Sequence, residues 1–199
     1  MITDDARIVD AKACQVESWV TSYRGSTEYS TQPACNFTGN LELTLGGTRT
    51  NAHGHGQTTD QVLQGKTVLR PLQTNGWGLG LAAGIVGHPQ AAAGRDWYAY
   101  VPVSFSLRDD AALVHANIGW LREGSARRER LTWGLGTEVQ LTADTWLIAE
   151  TFGRTRAGPG TSWACAIGWL PIACSWMPPT AIAMARARES AGFRLACAC

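Results

Sequence analysis

Apolar and polar residues alternate along most of this chain. Leu131, Trp133, Leu135, Val139 and Leu141 are interleaved with Thr132, Gly134, Gly136, Glu138 and Gln140. Trp97, Ala99, Val101, Val103, Phe105 and Leu107 alternate with Tyr98, Tyr100, Ser104 and Ser106. Ala112, Val114, Ala116, Ile118 and Trp120 alternate with His115, Asn117 and Gly119, and Leu41, Leu43 and Leu45 with Asn40, Glu42 and Thr44. A period of two is the signature of a strand whose two faces meet different surroundings. Weaker strands read over 12–23, 61–70, 77–87 and 145–153, giving about eight by residue 153. Short polar turns such as Arg108-Asp109-Asp110 and Thr142-Ala143-Asp144 join them. No segment carries a convincing helical period. The expectation is all-β: an antiparallel up-and-down meander.

The period alone does not say whether the greasy row meets lipid or a protein core. Aromatics near strand ends (Trp97, Trp120 and Trp146) favour lipid, because aromatic girdles sit at the lipid–water boundary. Composition points the same way: the 199 residues are only 17% charged and include 22 Gly and 9 Trp. An outer-membrane-type β-barrel is therefore expected, with a soluble periplasmic β-barrel that binds a ligand as the alternative. A net charge of +1, with no long basic run, argues against nucleic acid. Arg127, Arg128 and Arg130 form a short cluster that suits a solvated loop or lipid head groups. No apolar stretch is long enough for a membrane helix. Met1 is followed by Thr3, Asp4 and Asp5 rather than by a secretory leader, so the chain read literally stays in the cytoplasm.

From Thr161 onward the alternation stops. Residues 161–199 hold ten Ala and four Cys but no Asp, Asn, Gln, Lys, His, Val or Tyr. The cysteine spacings match no zinc pattern, and no metal or other cofactor is expected. A frameshift between Arg154 and Ser162 explains the break better. When the third base of each codon is read with the first two of the next, Trp163-Ala164 must give Gly. Trp176-Met177 must give Asp, Met177-Pro178 must give Ala, and Met184-Ala185 must give Gly. With permitted codons the tail then yields alternating strings such as W-L-V-P-D-R-V-Q-L-D-A-T-Y-G. The division expected is an incomplete barrel domain over 1–160 and an out-of-frame tail over 161–199. The parent barrel would have about ten to twelve strands, and this copy would be defective, with an unpaired edge.

Several segments resemble one family. Thr3-Asp4-Asp5, a short linker and a first strand carrying Gln15, Glu17 and Trp19 are similar to outer-membrane proteins of the putative meta-pathway of phenol degradation type. Leu131–Glu138, Trp146–Gly153 and the recovered closing string look like that family's late strands. The resemblance implies a non-enzymatic outer-membrane barrel, preceded by a signal peptide, that binds or passes small molecules, aromatic ones included. The expected partners are outer-membrane lipid and a small solute.

The polar row supplies candidate lumen residues: Glu42, Gln64, Lys66, Arg70, His115, Asn117, Glu138, Gln140 and Glu150. In one reading they set the solute preference of a pore. In the other they are a structural network filling a narrow barrel. Cys14 and Cys35 flank the first turn, and a disulfide there is expected in an oxidising periplasm. His53-Gly54-His55 reads as a solvated loop, and Gly78, Gly80 and Gly84 as close packing rather than a dinucleotide fingerprint. His115 with Ser104 or Ser106 is the one arrangement open to a barrel lipid hydrolase, without a nucleophile motif to support it.

Overall fold

The computed structural model describes the backbone of residues 3–23, 25–52, 56–90, 94–143, 145–155, 160–168, 181–187 and 192–198, and side chains within 3–155 except 21–23 and 56. The His53–His55 loop lies outside the described residues.

Nine antiparallel strands run in sequence order: β1 (Cys14–Tyr23), β2 (Ser26–Asn36), β3 (Leu41–Ala52), β4 (Gly56–Arg70), β5 (Trp77–Gly87), β6 (Arg95–Leu107), β7 (Ala112–Glu123), β8 (Arg128–Thr142) and β9 (Thr145–Arg154). The backbone continues as β10 (Gly160–Gly168), β11 (Ala181–Ala187) and β12 (Gly192–Ala198), and β12 pairs with β1 to close the ring. Each strand otherwise pairs with its neighbours in sequence, so the meander expected from the alternation is the fold.

The expected unpaired edge is not what the ring shows: among the described residues, the backbone of 160–168, 181–187 and 192–198 pairs as its last strands. The physical reason lies in pairing: β1 and β9 each offer a row of unmet backbone donors and acceptors, and a segment of small apolar residues can satisfy them whatever its own pattern.

The polarity of the barrel is inverted relative to a soluble one. The buried apolar residues among those described are Ala6, Ala34, Ala82 and Leu113. The buried polar ones include Glu42, Lys66, Ser104, His115 and Glu150. Meanwhile Leu45 is 65% and Leu69 61% exposed, as part of an outward row with Leu43, Leu63, Leu81, Ile118, Leu131 and Leu135. Register makes this row continuous around the wall: Leu45 faces Leu63, Leu63 faces Ile85, Ile85 faces Trp97, and Trp120 faces Leu131. The opposite row faces the enclosed interior. Trp97 and Trp120 stand on the outer row near one rim, with Trp77 and Phe105 paired near the other. Trp146 does not join this girdle. It shares the inner row with Glu150, opposite Gln140, while Leu147 points outward.

Candidate functional site

The interior is occupied by the chain itself. Residues 3–9, part of the stretch before β1 that reads in sequence as a short linker, run inside the barrel. Ala6 is completely buried and Thr3 nearly so. Three wall side chains capture three backbone N–H groups along this segment. Glu150 on β9 accepts from Thr3 N at 3.0 Å, Ser104 on β6 from Ala6 N at 2.8 Å, and Glu42 on β3 from Val9 N at 2.8 Å. The captured residues are three apart in sequence, and the strands that capture them are three apart in the ring. An extended segment is thus laid along the wall from β3 to β9. Backbone polar groups inside a barrel need such partners, because an unmet one costs about 1–3 kcal/mol.

Charge adds a second set of contacts. The buried Lys66 ammonium lies 2.8 Å from Asp4 and 3.4 Å from Asp5. The Tyr100 hydroxyl donates to Asp4 Oδ2 at 2.6 Å. In the amide orientation that satisfies its neighbours, Asn117 brackets the Asp4 peptide, donating to its carbonyl at 2.8 Å and accepting from its N–H at 2.6 Å. Gln64 accepts from Tyr98 at 2.9 Å and Tyr100 at 3.3 Å. The wall makes room for the segment with glycine: a Cβ on Gly134 would stand 2.6 Å from Thr3 Oγ1. Gly84 likewise leaves space for the Tyr98 ring, so close packing accounts for this glycine.

The segment leaves the lumen at the rim where β1 begins. Asn36 donates to the Val9 carbonyl at 2.7 Å, and Lys12 N donates to the Asn36 carbonyl at 2.7 Å. Lys12 adopts a left-handed backbone, φ 63°, which turns the chain out of the lumen and into β1. A disulfide between Cys14 and Cys35 joins β1 to β2 at this exit.

Eight of the nine lumen candidates lie on the inner row, Glu42, Gln64, Lys66, His115, Asn117, Glu138 and Glu150 among them. Gln140 also lies on that row but near the rim, with its amide donating to the Ala143 carbonyl at 3.3 Å. Arg70 is on neither the lumen wall nor the segment. The register slips between Val68 and Arg70, and the guanidinium sits 4.0 Å over the Trp77 ring while Nε donates to the Trp77 carbonyl. One extra residue moves a side chain to the opposite face, and an alternation count cannot see it.

Ser104 and His115 do meet, at 2.7 Å between Oγ and Nδ1, and His115 Nε2 is 3.6 Å from Glu138. Both are fully buried beneath Ala6, and Ser104 Oγ already receives the Ala6 N–H. This is a wall contact of the inserted segment.

The far mouth is different. A cavity of about 550 Å³ opens there, lined by Asp60, His88, Asp96 and Glu123 with Thr58, Gln90 and Ser125. His88 bridges two strands, with Nδ1 2.7 Å from Asp60 and Nε2 3.2 Å from Asp96, while Asp96 also accepts from Gly124 N at 2.8 Å. The hydrogen bond to Asp60, reinforced by Asp96, raises the His88 pKa above its ordinary value of 6.5. Arg130 and Arg154 both reach Glu123, at 2.9 and 3.1 Å, so Arg130 of the basic cluster braces this rim.

The comparisons with known proteins fit this geometry. The family described as Uncharacterised conserved protein UCP029691 matches residues 1–166. The chain belongs to that family. None of the curated proteins matches it. Among solved structures it is similar to the KdgM porin in complex with disordered oligogalacturonate, with a TM-score of 0.64 at 7% identity over 92% of this chain and 97% of that one. It is likewise similar to the KdgM porin alone, with a TM-score of 0.60 at 8% identity over the same shares. At such identities the likeness establishes a porin-type barrel fold and leaves the solute to other arguments.

The sequence reading missed the inserted segment and the role of the wall residues Tyr100, Ser104 and Asn36 in holding it. Two signals were present. Gly134 and Gly136 occupy successive inward positions, which asks for something to fill the space. Lys66 on an otherwise acidic inner row needs a carboxylate partner, and Asp4-Asp5 can supply it.

Proposed function

We propose that this protein is an outer-membrane β-barrel that passes small molecules through a lumen partly occupied by its own N-terminal segment. It works without catalysis and without a cofactor. The inverted polarity of the wall carries this reading. Exposed leucine and tryptophan rows on the outside suit hydrocarbon, and buried Lys66, Glu42 and His115 on the inside suit a wet or peptide-filled channel. A soluble ligand-binding barrel would place these rows the other way round. The porin-type neighbours support a conduit, and one of them has been captured with an oligogalacturonate. A lipid hydrolase is disfavoured because Ser104 and His115 are both sealed from lipid and solvent. The resemblance to the phenol-degradation type supports aromatic molecules among the solutes.

The test is refolding from denaturant into detergent, followed by insertion into planar bilayers. A heat-modifiable band on gels and discrete conductance steps are expected. A protein that stays soluble and monomeric without detergent, and gives no conductance, overturns the reading.

A second proposal concerns residues 161–199, read as the product of a shifted frame that impairs this copy, so that a chain carrying the shifted-frame tail should refold in higher yield than the chain as it stands. It is supported by the abrupt compositional change at Thr161 and is in keeping with a family match that spans residues 1–166. Sequencing codons 154–162 in related strains decides it: an intact frame that encodes the same tail overturns the proposal.

A further inference from the structure

Asp4 occupies a position that a solute can take. Its carboxylate meets the Lys66 ammonium at 2.8 Å and the Tyr100 hydroxyl at 2.6 Å, and Asn117 brackets its peptide. Lys66 is only 4% exposed, and a buried ammonium is stable only beside a carboxylate. Glu42, the cross-strand partner of Lys66 on β3, accepts from Val9 N through Oε2 and makes no direct ion pair with the ammonium among the described contacts. Beside the site the Tyr98 and Tyr100 rings stack, with centroids 6.2 Å apart, both hydroxyls tied to Gln64. The three groups that hold Asp4 come from the fixed wall, Lys66 on β4, Tyr100 on β6 and Asn117 on β7, and none from the inserted segment.

We infer that this cluster is a carboxylate-binding site of the lumen, that Asp4 is its resident surrogate, and that it takes small molecules in which a carboxylate adjoins a flat apolar group. Lys66 supplies the charge, Tyr100 the charge-assisted hydrogen bond, and the tyrosine pair a flat surface for the rest of the molecule. The inference rests on the reading of the barrel as a conduit. It makes the N-terminal segment a competitor of the solute, released when an external carboxylate replaces Asp4.

The experiment uses the full chain folded in detergent, with benzoate as the probe and benzyl alcohol as its uncharged counterpart, both followed by calorimetric titration. The double variant Asp4→Ala/Asp5→Ala empties the site and leaves the wall intact. It is expected to bind benzoate about tenfold more tightly than benzyl alcohol, the scale of one charge-assisted hydrogen bond. Adding Lys66→Met is expected to abolish that preference. Equal binding of the two probes by the double variant, or a preference that survives Lys66→Met, overturns the inference. Should the triple variant lose its heat-modifiable band, Tyr100→Phe in the same double background replaces it. There a drop of roughly threefold to tenfold in benzoate affinity supports the site, and no change overturns it. Bilayer conductance is measured separately on the same samples. Its absence from every variant sinks the conduit reading, while the titration still judges the site.

Discussion

The two ends of the lumen are built from the same alternating strands yet are held in opposite ways. Near the rim where β1 begins, the interior is packed with peptide. Glu42, Ser104 and Glu150 receive backbone N–H groups, and Lys66 is neutralised by Asp4 and Asp5. At the far mouth there is an open cavity of about 550 Å³ instead, and wall acids are tied to each other through His88 rather than to an inserted chain. The contrast shows that alternation defines an inside without defining what fills it. Where a polar wall is answered by a segment of complementary hydrogen-bonding groups, it becomes a dry interior. Where it is not, side chains must answer one another across a wet opening.

The largest effect should come from evicting the segment. A Gly134→Val change puts side-chain atoms where Thr3 Oγ1 now lies. It is expected to free the amides of Thr3, Ala6 and Val9, raising their hydrogen-exchange rates by about fivefold or more, as lost hydrogen bonds worth about 1–3 kcal/mol require. Unchanged exchange at those amides would mean that the segment does not need this space. The far mouth, with His88 and its partners, should be untouched by the change.

A smaller effect is expected at the exit. Cys14→Ser opens a disulfide that spans 21 positions, for a loss of about 3 kcal/mol on the loop-entropy scale. It would be seen as a lower denaturation midpoint and loss of the mobility shift on reduction. The exchange protection of Ala6 should survive, because Ser104 and not the disulfide holds that residue.

The smallest effects are the pH responses of the two rims, which should have opposite signs. His88 has a raised pKa through Asp60 and Asp96, so its clamp is fully present below 6.5 and is lost as pH rises through the raised value. At the other rim the Asp110 carboxylate accepts from Ser106 and from Thr74, the latter at 2.6 Å, and these bonds lower its pKa below 3.8. Its latch is present above 3.8 and is lost as pH falls through the lowered value. Exchange protection, corrected for the intrinsic pH dependence of amide exchange, should therefore fall on the alkaline side at Gly124, whose N–H Asp96 accepts, and only in acid at Asp109 and Ala111. His88→Gln should erase the alkaline response alone; a response that persists would assign it to another group.

Much of the barrel was legible because lipid-facing and lumen-facing rows leave a plain signature. Leu131, Trp133 and Leu135 against Thr132, Gly134 and Gly136 announce β8 and its two faces. The turn at Arg108-Asp109-Asp110 was equally plain, although all three residues proving left-handed was not. Errors arose where local pattern and three-dimensional position part company. Arg70 was assigned to the lumen because nothing in the sequence marks the slip after Val68. Trp146 was assigned to the girdle by residue type, although its parity with Glu150 places it on the inner row. The segment 3–13 has no period at all, and the wall side chains that capture its amides lie 33 to 147 positions away. Such contacts are fixed by the closed ring and leave no local trace.

The seam between β1 and β12 lies outside the part of the wall that holds the N-terminal segment. The ring is completed by pairing the first strand of the chain with the last, whereas the wall that grips residues 3–9 spans β2 to β9. The grip does not depend on the seam being joined. The N-terminal segment can therefore be seated while the sheet is still an open curved surface, and the last strands then close the cylinder over a passenger already aboard.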